Sequence, residues 1–127
     1  MIIVGVGCRK GVTDTAIASA VRVAIAQTGL SFEQVSALAA PAFKAGEDGL
    51  RRAADGMRLP LHLVERAQLE AVQPSCTTYS PTAMTALGLG SVCEAAAIAE
   101  AGAGAILVLP KTVVHGVACA VAEGSME

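Results

Sequence analysis

The chain has 127 residues, a formal net charge of −2, and a composition that is 54% hydrophobic but only 2% aromatic. This length suffices for one domain with its own core. The acidic balance and the scarcity of aromatic side chains argue against a nucleic-acid-binding protein. The first apolar run ends at Arg9, too early for a signal peptide, and no run approaches the roughly 20 residues of a membrane span. We therefore expect a cytoplasmic protein without a membrane segment.

The four cysteines are scattered and do not form a pattern typical of a metal site. No Cys-x-x-Cys pair or histidine at ligand spacing accompanies them. Without an export signal, free thiols are favoured over disulfides. We predict no metal and no cofactor, and we assign Cys76, Cys93 and Cys119 to packing, because each lies in or beside an apolar stretch.

The beginning of the chain predicts a strand followed by a helix. Residues 1–7 (MIIVGVG) are an apolar run ended by glycine, which indicates a buried strand. Thr13 or Asp14 is predicted to cap a helix that ends at Gly29. Residues 31–34 (SFEQ) fit a capping box for one short turn.

The remaining chain continues this alternation. Residues 73–90, rich in Ser, Thr, Pro and Gly, are the longest irregular stretch. A capping box of Ser91 and Glu94 is predicted to open a helix that Gly102 closes. Residues 114–124 are predicted either as a hairpin partner or as a final strand at one sheet edge. Further strands are predicted over 36–44, 59–65 and 105–110, and helices over 46–57, 66–72 and 91–102.

This order of elements predicts a single domain over residues 1–127. Strands that alternate with helices form a mostly parallel sheet with both faces covered. The expected fold is a three-layer α/β/α domain with about five strands, one of them antiparallel at an edge.

Cations follow three of the predicted strands. Arg9 and Lys10 follow the first strand, Lys44 the second and Lys111 the fourth. Ligands of open α/β sheets bind beyond the carboxyl ends of the strands. These four side chains therefore predict an anionic ligand with several carboxylates or phosphates.

The loop GVGCRKG (5–11) offers backbone N–H groups beside a helix N-terminus, which also favours anions. Its spacing matches neither a P-loop nor a complete G-x-G-x-x-G fingerprint, which argues against nucleotide binding. A plain glycine turn with solvated cations remains the alternative.

Two residues are candidates for catalysis. Cys8 lies beside cations and a helix N-terminus, which lower a thiol pKa, but packing is the commoner role of such a thiol. Glu47 lies at the start of a helix, where the helix dipole alone explains an acidic residue. Glu94 is a further candidate acid or base, although its capping role accounts for its position. The hydroxyl-rich stretch 75–85 either hydrogen-bonds carboxylates or is a solvated connection.

Four segments together resemble the CobE / CbiG C-terminal domain family of cobalamin (vitamin B12) biosynthesis. GVGCRKG is similar to the family's opening G-[IV]-G-C-[RK]-[RK]-G, and AFKAGEDGL (42–50) to its K-x-x-E-x-G-L segment. PSCTTYS followed by SVCEAAAI (74–98) is similar to its P-S and S-V-x-E-A-A-A segments. Residues 106–122 resemble its closing strand, lysine and final strand. The resemblance extends nearly end to end, and a stand-alone domain of this length is most similar to the CobE type.

The resemblance implies that the protein binds or helps to process a precorrin-type tetrapyrrole, whose ring carries many acetate and propionate groups. Two alternatives remain open. One is a hydrolase that opens a tetrapyrrole lactone, similar to a cobalt-precorrin-5A hydrolase, with Cys8 or Glu47 as nucleophile or base. The other is a scaffold that docks onto methyltransferases of the pathway. The candidate ligand-binding residues are Gly5, Gly7, Cys8, Arg9, Lys10, Gly11, Lys44, Ser75, Ser91, Glu94 and Lys111.

Overall fold

Five strands form one mixed sheet in the order β3-β2-β1-β5-β4. The computed structural model describes residues 1–102 and 104–124. The strands are β1 (Ile2–Gly7), β2 (Val35–Pro41), β3 (Leu61–Val64), β4 (Ile106–Val114) and β5 (Val117–Glu123). The α-helices are α1 (Asp14–Thr28), α2 (Asp48–Met57), α3 (Arg66–Ala71), α4 (Pro81–Leu87) and α5 (Cys93–Ala101). Short 3-10 turns cover Phe32–Gln34, Ala42–Lys44 and Gln73–Ser75.

The strand directions confirm the predicted α/β sheet. β1, β2 and β3 pair in parallel, and β5 pairs antiparallel with both β1 and β4. Four of the five strands therefore run in one direction. β5 is the hairpin partner of β4, and the two turn residues, His115 and Gly116, both have positive φ, as a tight hairpin requires.

The position of the antiparallel strand differs from the expected one. β5 lies between β1 and β4 rather than at an edge. Its side chains are almost all buried, whereas β4 exposes Ile106 at 66% and Val113 at 59%. Placing β4 outermost keeps the more apolar strand covered on both sides.

The helices cover both faces of the sheet, which gives the predicted three layers. Val4 and Val6 of β1 pack in one core with α1 and α2, and Ile3 packs in a second core with α3 and α5. Thr13 caps α1 through the Ala16 N–H, and Gly29 ends α1 with φ of 79°, both as predicted. None of the helices in the described part of the chain has the length and hydropathy of a membrane span.

The stretch over 73–90 contains structure that the sequence analysis did not predict. Ser80 caps α4 by accepting from the Ala83 N–H, Pro81 occupies the first helical position, and Gly88 ends the helix with φ of 73°. α4 buries none of its residues. Its seven residues are too few for an apolar period to stand out within the Ser-, Thr-, Pro- and Gly-rich stretch around it.

Helix α5 lies unusually close to β1, and Gly5 makes this approach possible. A Cβ at Gly5 would collide with the Cys93 carbonyl oxygen and come within 2.8 Å of the Ala97 backbone nitrogen. The facing residues Ala95, Ala96 and Ala97 are small and fully buried. Gly5 therefore serves helix packing.

We expect Gly5→Ala to lower the free energy of unfolding by about 3 kcal/mol, because its methyl group would push α5 away from β1. The midpoint of urea denaturation measures this change. Gly56→Ala is the matched control: Gly56 lies in α2 with open space around it, and alanine there adds about 0.5–1 kcal/mol. An unchanged midpoint for Gly5→Ala would contradict the close approach.

Candidate functional site

A cavity of about 620 Å³ opens at the carboxyl ends of β1 and β2 and extends to β4 and α4. We call it the basic cleft. Its volume lies in the range typical of small-molecule sites. The lining residues are Gly7, Cys8, Arg9, Lys10, Pro41, Phe43, Lys44, Glu47, Ser80, Thr82, Ala83, Ala86, Leu87, Val92, Lys111 and Gly116.

All four predicted cations line the basic cleft. Arg9 and Lys10 follow β1 directly, Lys44 ends the 3-10 turn after β2, and Lys111 projects from β4. Within residues 1–102 and 104–124, none of the four forms a salt bridge. The cleft thus concentrates positive charge that the described residues do not neutralise by ion pairing.

Apolar side chains line the cleft together with the cations. Phe43 is 45% exposed although it is a large hydrophobic side chain, and α4 contributes Ala83, Ala86 and Leu87. An apolar surface of this kind suits the face of a planar ring, whereas the cations suit anionic groups at the edge of such a ring. Phe43 and α4 are not among the candidates predicted from the sequence, because a single apolar side chain and a short helix give no pattern of charge or glycine. The cleft lining does include Ser80 and Thr82 of the hydroxyl-rich stretch 75–85.

Glu94 is the most highly connected side chain beside the cleft. It is fully buried, and its carboxylate accepts hydrogen bonds from the backbone N–H groups of Thr77 (2.7 Å), Thr78 (3.1 Å) and Lys111 (2.8 Å). The hydroxyls of Thr77 (3.1 Å) and Thr78 also donate to it. One carboxylate therefore joins α5, β4 and the segment that leads into α4.

This arrangement corrects the predicted capping box of Ser91 and Glu94. The N-cap of α5 is Val92, which makes no side-chain cap hydrogen bond. The Glu94 side chain turns toward Thr77, Thr78 and Lys111, because three backbone donors and two hydroxyls satisfy a buried carboxylate better than one cap N–H. The start of α5 is left without the predicted cap.

The hydrogen bonds to Glu94 keep it ionised. Burial by itself opposes the charged form, but the Thr78 hydroxyl and the N–H groups of Lys111, Thr77 and Thr78 outweigh it and lower the pKa of Glu94 below its ordinary value. With its oxygens occupied by these donors, Glu94 acts as a structural anchor.

The two catalytic candidates, Cys8 and Glu47, both line the cleft. Burial raises the pKa of the Cys8 thiol, Lys44 lowers it and Glu47 raises it, with a net upward shift. A raised pKa disfavours the thiolate that a nucleophile needs. Glu47 accepts a hydrogen bond of 2.9 Å from the Gly11 N–H, which holds the loop after β1 against α2.

Comparison with known proteins identifies the family. A sequence model described as "Cobalamin synthesis G C-terminus" matches residues 2–122. The chain belongs to this family of cobalamin biosynthesis proteins. The crystal structure of CobE, described as a protein from the cobalamin (vitamin B12) biosynthetic pathway, is 31% identical in sequence. It matches with a TM-score of 0.92 over 100% of this chain and 92% of that chain.

Two further structures of cobalamin biosynthesis proteins are similar. The protein chiG of Agrobacterium tumefaciens str. C58 is 39% identical, with a TM-score of 0.79 over 98% of this chain and 99% of that chain. A putative cobalamin biosynthesis protein G homolog from Sulfolobus solfataricus is 21% identical, with a TM-score of 0.73 over 98% of this chain but 37% of that chain, and shows a similar fold. No curated protein sequence matches the chain. These findings confirm the predicted resemblance to CobE.

The structure does not bring every candidate from the family segments to the basic cleft. Gly5 lies beneath α5, the Gly11 N–H is bonded to Glu47, and Ser75 is exposed in a 3-10 turn outside the cleft lining. Ser91 and Cys93 are buried next to the cleft rather than in its wall. Within the described residues, no group of three or more His, Cys, Asp or Glu side chains could hold a metal ion.

The remaining cysteines have the properties of packing residues. Burial, together with the negative charge of Glu94, raises the pKa of Cys93 to about 12. Burial also raises the pKa of Cys119 to about 12. Cys76 is half-buried against the core of α5, and burial is the main cause of its raised pKa.

We expect Glu94→Gln to lower the free energy of unfolding at pH 7 by roughly 2–4 kcal/mol, because the neutral amide cannot accept all five hydrogen bonds. The folded-state pKa of Glu94 lies below its ordinary value of 4.5. Its contribution is therefore complete above that value and is lost as the pH falls through the folded pKa. Urea denaturation between about pH 7 and pH 3 measures the difference from the wild type, which should shrink at acidic pH.

Glu70→Gln provides the control for this experiment. Glu70 is an exposed glutamate in a surface ion pair with Arg66, and such pairs contribute about 0–1 kcal/mol. A loss in Glu94→Gln no larger than in Glu70→Gln, or a loss independent of pH, would contradict the anchoring role.

Proposed function

We propose that this protein binds a carboxylate-rich precorrin or corrin-ring intermediate in the basic cleft and holds it for, or helps in, its processing. The observation that carries the proposal is the convergence of Arg9, Lys10, Lys44 and Lys111 on one cavity. The four cations come from three separate segments of the chain, namely the loop after β1, the turn after β2 and strand β4, and only the fold brings these segments together.

The charge distribution supports an anionic ligand. The whole chain has a net charge of −2, yet four of its nine Lys and Arg residues line this cleft. Glu47 is the acidic residue among the lining residues, and the Gly11 N–H already donates to it. A locally basic cleft on an acidic protein attracts a ligand with several negative groups.

The apolar wall narrows the class of anion. The hydroxyls of Ser80 and Thr82 also line the cleft. Phe43, Leu87 and the alanines of α4, by contrast, offer no polar partner to a ligand. They do suit the face of a tetrapyrrole ring, whose acetate and propionate groups would then reach the cations. The family, with relatives described as cobalamin biosynthesis proteins, supports this class of ligand.

The expected affinity is moderate. A well-formed hydrogen bond to a charged group contributes about 1.5–3 kcal/mol. Several of them, after the cost of immobilising the side chains, correspond to a dissociation constant in about the micromolar range. Since the cations are solvent-exposed or half-exposed, added salt should weaken binding.

We expect Arg9→Ala and Lys44→Ala each to weaken binding of hydrogenobyrinic acid about tenfold, because each removes one charge that meets a carboxylate. Absorbance titration at low salt measures the dissociation constants. Arg22→Ala is the control, because Arg22 of α1 lies over the ring of Phe32 and does not line the cleft. No binding by the wild type, or equal binding by all four proteins, would refute the proposal.

The hydrolase alternative has one supporting observation, namely that Cys8 and Glu47 both line the cleft. The raised pKa of Cys8 weighs against it. The same titration separates the two functions. Binding in a fixed stoichiometry, without a continuing change in the absorbance spectrum, supports a carrier or accessory role. Catalytic release of acetaldehyde that Cys8→Ser abolishes would support the hydrolase.

A further inference from the structure

The basic cleft continues into a second, narrower cavity of about 60 Å³. We call this cavity the inner pocket; it lies between Gly7 of β1, residues 91–93 at the start of α5, and Lys111 of β4. Gly7, Ser80, Val92 and Lys111 line both cavities, so the two are neighbours. A water molecule takes up roughly 30 Å³ in the liquid, so the inner pocket has room for a group of carboxylate size.

The fold does not account for the glycine at position 7. Gly7 is absent from the residues with positive φ, so its backbone conformation is open to any amino acid. A Cβ there would meet Ala118 Cβ and Cys93 Cβ at 3.8 Å, which is ordinary van der Waals contact. It would also lie 4.0 Å from the Cys93 backbone nitrogen. The missing side chain leaves free the space in front of that N–H.

The start of α5 faces this space without a cap of its own. The helix has nine residues, and its N-cap, Val92, has no side-chain oxygen. The first N–H groups of a helix carry a partial positive charge and bind anions when no side chain caps them. Gly7 and the uncapped start of α5 thus form a cradle in which the acceptor for the Cys93 and Glu94 N–H groups is the Cys93 thiol, a weak one.

Ser91 provides a second, independent sign of a ligand. Its side chain is 5% exposed, it lines the inner pocket, and its Oγ has no hydrogen-bond partner among the described residues. Burial raises the pKa of the nearby Cys76 thiol and the Ser91 hydroxyl partly offsets this, but a thiol is a weak partner. An unsatisfied buried hydroxyl costs about 1–3 kcal/mol, so its retention needs an explanation.

The charges around the inner pocket permit an anion. Lys111 lines the pocket, and its ammonium group forms no salt bridge with the part of the chain that the structure describes. Burial and Glu94 raise the pKa of Cys93 to about 12, although Lys111 lowers it, so the thiol stays neutral. The carboxylate of Glu94 does not line the pocket, and five donors already satisfy its charge.

We infer that the inner pocket binds one carboxylate arm of the ligand, through the Cys93 N–H, the Ser91 hydroxyl and the Lys111 ammonium group. This inference rests on the proposed function and deepens it. The ring of the ligand lies in the basic cleft, and a single acetate-sized arm enters between β1 and α5. The inner pocket then selects ligands with a free, short carboxylate arm at one position over ligands in which that arm is amidated.

The first experiment uses acetate as the probe and needs no tetrapyrrole. Titrating sodium acetate into ¹⁵N-labelled protein should shift the amide signal of Cys93 in a saturable manner, whereas acetamide, of the same shape but neutral, should not. In Gly7→Ala the methyl group fills the cradle, so the acetate shift at Cys93 should vanish while the rest of the spectrum stays folded. The inference would be overturned if acetate did not shift the Cys93 signal of the wild type. It would also be overturned if acetamide shifted this signal as much as acetate does, or if acetate shifted it equally in Gly7→Ala.

The second experiment separates a ligand contact from a structural role. Ser91→Ala should leave the midpoint of urea denaturation unchanged or raise it, because the substitution removes an unsatisfied hydroxyl. It should nevertheless weaken the binding of hydrogenobyrinic acid about tenfold. Ser19→Ala, on α1 outside both cavities, should change neither quantity appreciably. Unchanged affinity in Ser91→Ala would overturn the role of Ser91.

The two proposals fail in different ways. If acetate saturates the Cys93 signal in the wild type but not in Gly7→Ala and no tetrapyrrole binds, the inner pocket stands and the proposed function fails. If hydrogenobyrinic acid binds and Arg9→Ala weakens it, while Gly7→Ala and Ser91→Ala bind as the wild type does, the proposed function stands and the inner pocket is refuted.

Discussion

A single buried carboxylate holds the walls of the basic cleft in place. The oxygens of Glu94 accept from Thr77 and Thr78 on one side and from the Lys111 N–H on the other. Burying this charge without such donors would destabilise the fold by several kcal/mol. The segment with Thr77 and Thr78 and strand β4 therefore stay in position as long as the fold is stable. α4 itself buries no side chain. The segment anchored by Glu94 leads into it, and the Arg66 side chain donates to the Leu87 carbonyl at its other end. The hydrogen bonds that satisfy the charge of Glu94 thereby also shape the cavity.

The second constraint is the close approach of α5 to the sheet. Gly5 lets the helix backbone lie almost directly on β1, and the alanines of α5 fill the remaining space. The same approach brings the start of α5 beside Gly7, at the carboxyl end of β1. Two glycines two residues apart therefore have different roles, since Gly5 is required by packing and Gly7 leaves room that packing does not use. In this chain the glycine-rich opening segment thus joins the packing of α5 to the basic cleft.

Much of this architecture could be predicted from the sequence, because short-range signals determine it. Apolar runs and caps such as Thr13 and Gly29 predict the elements, and the strand ends predict the meeting of Lys44 and Lys111. The role of Glu94 could not be predicted, because a capping-box pattern looks the same whether its side chain turns back or reaches across to β4. α4 was missed for a different reason, since its seven residues lie in a Ser-, Thr-, Pro- and Gly-rich stretch and are too few to establish an apolar period. The inner pocket depends on distances across elements that no sequence pattern records.

If Glu94 positions the cleft for a bound ligand, the most direct measurement is the affinity of the folded Glu94→Gln protein for hydrogenobyrinic acid. Absorbance titration at pH 7 and low temperature, with circular dichroism showing that the variant is folded, gives this affinity. We predict at least tenfold weaker binding, with Glu70→Gln unchanged, because Lys111 and the segment before α4 lose their common anchor. Equal affinity of folded Glu94→Gln and wild-type protein would contradict it.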